Sequence, residues 1–166
     1  MIFMSQSGLL DRTAEHQWDV WYEDHLRLML TVPQFKSAQR FKTETPEHPP
    51  SLAMYTITSG DVFQDPYYQS VRGMGEWAAG IDQRYYKRNL FDGLDVAPAC
   101  QPDEVLLIAD RNEPDPSCPG FTWLRAVAVD RSPPCRGIRI VSGNEAEALV
   151  SRLGDIALYR PFSIDS

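Results

Sequence analysis

Residues 11–42 read DRTAEHQWDVWYEDHLRLMLTVPQFKSAQRFK, and this stretch decides the fold. Asp11 or Thr13 can cap a helix that runs to about Leu30 and stops before Pro33. Within it Trp18, Trp21, Tyr22, His25, Leu26, Leu28, Met29 and Val32 recur at steps of three and four, which makes one broad apolar face. Asp19, Glu23, Asp24 and Arg27 fall mostly on the other side. The segment that follows, Phe35 to Lys42, reads as a strand.

Working outward, a strand is expected near Ile2 to Gln6. A second helix-flanking strand follows the turn-rich Pro46-Glu47-His48-Pro49-Pro50, over Leu52 to Thr58. Asp65-Pro66 is a helix start, a capping carboxylate with proline at the first helical position. An apolar stripe of Tyr67, Val71, Met74, Trp77, Ala78 and Ile81 predicts that this helix continues to residue 81, although Gly73 and Gly75 weaken it. Tyr85 to Phe91 reads as a strand. The order is β-α-β-β-α-β, the ferredoxin-like unit.

After a connector at 92–103 the signals repeat in reduced form. Val105 to Asp110, Thr122 to Asp130, Gly137 to Ser142 and Ile156 to Phe162 read as strands, with a proline-rich loop at 112–120 where the first helix would stand. Asn144 with Glu147 resembles a capping box, and the helix it opens ends near Gly154. The expected fold is therefore α+β: two ferredoxin-like halves, 1–95 complete and 96–166 degenerate and missing a helix, fused in one structural domain. Each half has a bare apolar sheet face, so the two sheets pack together as an α+β barrel. Such closure allows a monomer, and an exposed edge strand could still build a homodimer.

The 166 residues carry 43% apolar and 23% charged side chains, the balance of a globular chain, and a net charge of −7. That charge argues against nucleic acid or an anionic membrane as partner, since both need clustered Lys and Arg. No run approaches the roughly 18–20 apolar residues of a bilayer span. The first residues lack the pattern of a secretion signal, so the expected compartment is the cytoplasm. Cys100, Cys118 and Cys135 are odd in number and widely spaced, a poor disulfide framework, and without a C-x-x-C pair they do not suggest a metal site.

His25 is the most informative residue for chemistry. It lies four residues after Trp21 and three after Tyr22, so the three side chains share one sector of the helix. An imidazole in an aromatic-walled cleft is kept neutral and can act as a base; the competing reading is a core histidine bonded to a backbone carbonyl. Tyr22, Tyr55 and Tyr86 are candidate donors to a developing oxyanion. Arg40 is a candidate ligand for a carboxylate or phenolate, with a surface arginine on an edge as the alternative. Trp21, Trp77 and Met29 are candidate walls, and aromatics at helical spacing are equally the makings of plain core. No Walker loop, G-x-G-x-x-G, H-E-x-x-H or G-x-S-x-G is present.

Trp18-x-x-Trp21-Tyr22-x-x-His25-Leu26, then Val32-Pro33-x-Phe35 and Ala38-x-Arg40-Phe41, resembles the EthD-like family of the dimeric α+β barrel superfamily. The resemblance implies a hydrophobic cleft between helices and sheet, with His25 at the helix motif. Relatives use such clefts as cofactor-free monooxygenases, isomerases, cyclases and lyases, or bind haem, or assist a pathway. It implies an enzyme that needs no bound cofactor (haem on His25 is allowed but not demanded) and that acts on a small apolar, aromatic or polyketide-like compound through proton abstraction by His25. The alternative is a non-catalytic small-molecule-binding or accessory protein. Arg27 and Leu28 stand where relatives often carry a proline after the histidine, and Gln34 where they often have glycine.

Overall fold

A computed structural model describes residues 1–165. The helix predicted from Asp11 begins as a 3-10 turn at 12–14, where the Asp11 carboxylate accepts from the Thr13 N–H at 3.0 Å. It continues as α1, Glu15–Met29, and closes before Pro33. Trp18, Tyr22, Leu26 and Met29, spaced by four, four and three, are its buried stripe, and each such side chain taken from water contributes about 1.5–3 kcal/mol.

Four strands carry the first half: β1 (Ile2–Ser7), β2 (Phe35–Lys42), β3 (Ser51–Ile57) and β4 (Lys87–Asp92). The second half holds β5 (Glu104–Arg111), β6 (Thr122–Val129), β7 (Cys135–Ser142) and β8 (Ala157–Pro161). The strands close into one antiparallel barrel in the order β1-β3-β2-β8-β5-β7-β6-β4. This is the expected pair of fused ferredoxin-like halves. The seams are β2 with β8, through Phe41 opposite Pro161 and Lys42 opposite Arg160, and β4 with β6 from Asn89 to Asp92.

Strand alternation sorts the side chains into layers. Ile2, Met4, Leu52, Met54, Phe41 and Phe91 point into the barrel, where they meet Leu106, Ile108, Leu124, Ile138, Ala157 and Tyr159 of the other half. Arg136 is fully buried at one end of this interior. Its guanidinium donates to Asp110 at 2.7 and 2.9 Å and to the Gln6 side chain at 2.9 Å, so its charge is neutralised and its donors are used. Phe3, Ala53, Tyr55 and Leu90 point the other way, toward α1.

The second helix departs from expectation. Asp65 accepts from the Tyr68 N–H at 2.9 Å and Pro66 opens α2, but α2 spans only Pro66–Val71. Gly73 and Gly75 take φ of +98° and +54°, which an α-helix cannot contain, and the chain resumes as a 3-10 segment at 75–80. Tyr85 and Tyr86, expected on the following strand, lie in the turn before β4. In the second half no helix joins β5 to β6. The loop there supplies Cys118 and Phe121 to the layer under α3 (Gly143–Leu153). The start of α3 also shifts from the predicted Asn144/Glu147 pair. Ser142 is the N-cap and its hydroxyl donates to Glu145 at 3.1 Å. No helix among the described residues is long and apolar enough to cross a membrane.

Candidate active site

Strand pairing builds the floor of the site. Arg40 lies opposite Ala53, Ala53 opposite Ser5, and Ser5 opposite Arg88, so these four side chains form one row across the helix-facing side of the first-half sheet. The adjacent row runs Ala38, Tyr55, Phe3, Leu90. Above them stand Tyr22, His25 and Met29 of α1, and Tyr68 of α2 with the Arg72-Gly73 turn that follows it. With Tyr86 and Met74, these helix and turn residues and Phe3, Ser5, Tyr55 and Arg88 of the two rows line an inner cavity of about 30 Å³, the space of one small polar group or water. An outer groove of about 340 Å³ lies on the solvent side, between Trp21, Leu28, Val71 and Gly75. His25, Arg72 and Gly73 line both, so they form the neck between groove and cavity.

His25 sits in the expected sector of the helix. Its imidazole lies parallel to the Trp21 indole, centroids 4.8 Å apart and planes 11° apart, and edge-on to Tyr22 at 5.8 Å. No hydrogen bond to a backbone carbonyl holds it among the described residues. Burial without a counter-charge lowers its pKa from 6.5 to about 4, so the ring is neutral at pH 7.

Two of the hydroxyls around it are held in their protonated form. Desolvation raises the pKa of Tyr22, whose hydroxyl lies against those of Ser5 and Ser7, and it outweighs the opposing Arg40. Desolvation raises Tyr55 further, reinforced by the neighbouring Tyr22 and Tyr68. Arg88 donates from Nη2 to the Tyr68 hydroxyl at 2.7 Å and lies 5.4 Å from the Phe3 ring centroid. The cavity wall is thus a set of neutral donors, one neutral base and two cations.

The predicted residues divide. Tyr22, His25, Met29, Tyr55 and Tyr86 line the inner cavity, and Trp21 lines the outer groove. Trp77 lines neither; it packs against the core from the 3-10 segment, because the helix meant to carry it ends at Val71. Arg40 is 3% exposed and is no edge residue. Its guanidinium donates to Asp19 at 2.7 Å and Ser51 at 3.1 Å and covers the Tyr22 ring at 4.1 Å, outside the cavity lining. Asp19, expected on the solvated side of α1, is 4% exposed because Arg40 and Lys42 draw it inward. Ser5, Tyr68, Arg72 and Arg88 were not foreseen. Alternation along 87–91 places Arg88 on the same face as Leu90, but only pairing with Ser5 brings it under α1.

A groove of about 720 Å³ lies at the β2–β8 seam between Lys42, Glu44, Glu147 and Arg160, and none of the predicted residues lines it. The inner cavity has no room for haem on His25. On its inner side the ring faces about 30 Å³, against roughly 300–1,000 Å³ for ordinary ligand pockets, and the outer groove of about 340 Å³ that it also lines is at the lower end of that range. No group of three or more His, Cys, Asp or Glu side chains is placed to hold a metal ion among the described residues. Cys100, Cys118 and Cys135 are buried free thiols.

No protein-family model matches the chain, and no curated protein matches it. The crystal structure of a candidate chlorite dismutase superposes with a TM-score of 0.56 at 8% identity, covering 98% of this chain and 94% of that one. The expected EthD-like membership is therefore corrected: no family model supports it, and the likeness found is one of fold alone, to that structure. The reason lies in the motif itself. Aromatic residues at helical spacing before a proline and a strand are what any helix needs to bury itself on a ferredoxin-like sheet, so the pattern marks the fold and not the family. What the two chains share is that fold, and the chemistry must come from this chain's own residues.

Proposed function

We propose that the chain acts on a small molecule held between α1, the α2 turn and the first-half sheet, with His25 as the group that takes and returns a proton. One observation carries this reading: a neutral imidazole stands at the neck between a groove large enough for a small molecule and a cavity walled by hydroxyls and a guanidinium. The neutral ring would remove a proton from a carbon beside a carbonyl, and the electron pair would move to the carbonyl oxygen. The Tyr22, Tyr55 and Tyr86 hydroxyls are the donors available to that oxygen. Return of the proton from the imidazolium to a different carbon completes an isomerisation; expulsion of a leaving group from the enolate, with the imidazolium proton passing to that group, completes an elimination. The reading is thus an isomerase or lyase with a small, mostly apolar substrate.

The narrowness of the inner cavity, about 30 Å³, favours a second reading in which the groove binds a metabolite without converting it. Native mass spectrometry of the freshly purified chain identifies any retained compound. Incubation of that compound with the chain and with His25→Gln then separates the readings. Conversion by the wild type that His25→Gln abolishes, with unchanged circular dichroism, supports catalysis; full activity in His25→Gln ends it.

A further inference from the structure

The lining of the inner cavity is electrically one-sided. Of its twelve residues two are arginines, Arg72 and Arg88, and none is Asp or Glu, in a chain whose net charge is −7. The contrast with Arg40 sharpens this. Arg40 and Arg88 stand on the same cross-strand row, on either side of Ala53 and Ser5. Arg40 is matched by Asp19 at 2.7 Å. No carboxylate lies within salt-bridge distance of the Arg88 or Arg72 guanidinium among the described residues. The nearby Asp130 carboxylate instead accepts the backbone N–H of Arg88, at 2.7 Å.

The other polar side chains in the wall are hydroxyls and one imidazole. Tyr68 spends its hydroxyl as acceptor for Arg88, which aligns the guanidinium without neutralising it. Arg88 is thus a half-buried cation that meets one hydroxyl and the Phe3 ring but no carboxylate, an arrangement that suits an anion.

We propose that the inner cavity receives the carboxylate head of a small apolar monoanion, with Arg88 as its cation, Tyr55 and Tyr86 as further donors, and the body of the molecule in the outer groove. This rests on the reading of the His25 cleft as a small-molecule site and names its substrate class. The dimensions agree: about 30 Å³ admits one small polar head, while about 340 Å³ outside the neck accommodates an aromatic or short aliphatic body. Arg72, exposed at the neck, is placed to follow the anion inward. A bound anion beside His25 also favours its protonated form, which makes the imidazole a stronger base once substrate is present.

Benzoate and benzyl alcohol are suitable probes, since they share a ring and differ in the charge. Both are titrated into the full-length, isotope-labelled chain and followed by NMR, with thermal unfolding as a check on each variant. Benzoate should saturate with an affinity at least about tenfold above that of benzyl alcohol, a difference of about 1.4 kcal/mol. Arg88→Gln should weaken benzoate by about tenfold and leave benzyl alcohol unchanged. Arg88→Lys, which keeps the charge should the glutamine variant fold poorly, should recover part of the loss. Equal affinity for the two probes, indifference to Arg88→Gln in a folded variant, or no saturation by about 10 mM benzoate overturns the proposal. The His25 ring resonances separate this idea from the one beneath it. Charge-selective, Arg88-dependent binding that leaves them unmoved keeps the anion site and removes His25 from the function. Charge-blind binding that shifts them does the reverse.

Discussion

Arg40 and Asp19 meet at 2.7 Å with both side chains almost dry, 2% and 6% exposed, and this pair ties α1 to the floor of the site. The Arg40 guanidinium also lies 4.1 Å from the Tyr22 ring centroid, so the ion pair and the tyrosine nearest His25 are positioned together. Removing one partner strands a buried charge. Asp19→Ala should lower stability by about 3–5 kcal/mol in urea denaturation, whereas Asp19→Leu combined with Arg40→Met should cost far less than the sum of the single changes. An additive double variant would show that the two groups do not act as a pair.

Protonation of His25 is a stability statement as well as a catalytic one. Its folded pKa of about 4 lies below the ordinary 6.5, so between these values the unfolded chain binds a proton that the folded chain refuses. This contribution is constant above pH 6.5, declines as pH falls toward 4, and flattens below. The rings that face the imidazole are Trp21 and Tyr22; Asp24, the one acidic residue lining the outer groove with it, is paired with Arg27 at 3.0 Å. NMR titration of the imidazole should give a midpoint near 4, and His25→Gln should flatten the slope of stability against pH in that window. A midpoint at 6.5 would mean the ring is solvated.

Two glycines test different physics. Gly73 sits at φ +98° with open space where a Cβ would go, so Gly73→Ala should cost about 1 kcal/mol or more through backbone strain alone. Gly137 has no such φ, but an added Cβ would meet the Trp123 ring at 2.9 Å; Gly137→Ala should cost about 1–3 kcal/mol by overpacking the β6–β7 pair. Only Gly73→Ala, at the neck, should alter ligand exchange with the inner cavity. Denaturation midpoints and ligand off-rates check both.

Burial pushes the Cys100 thiol up to about 12, helped by Glu104 and Asp103, and raises Cys135 as well. Neither should react with iodoacetamide at pH 8 in the folded chain, while all three cysteines should react in denaturant. Rapid alkylation of Cys100 in the native state would contradict its placement, where its backbone N–H and C=O are both engaged by the Gln39 amide at 3.0 and 2.8 Å.

Periodicity alone determined the eight strands, the long first helix and the missing helix of the second half, because a helix face and a strand face repeat at intervals that neighbours in sequence reveal. It also placed His25 between Trp21 and Tyr22, since residues three and four apart on a helix meet whatever the rest of the molecule does. Tertiary structure decided what those side chains face. The partnering of Arg40 with Asp19, and the placing of Arg88 with no carboxylate partner among the described residues, follow from strand register, which a one-residue slip would have reversed. The shortening of α2 was visible only as two weak glycines; their positive φ values turned a weakened helix into the neck of the site. The size of the cavity depends on how closely α1 packs over Phe3, Ser5 and Tyr55, a distance set by side chains far apart in the chain.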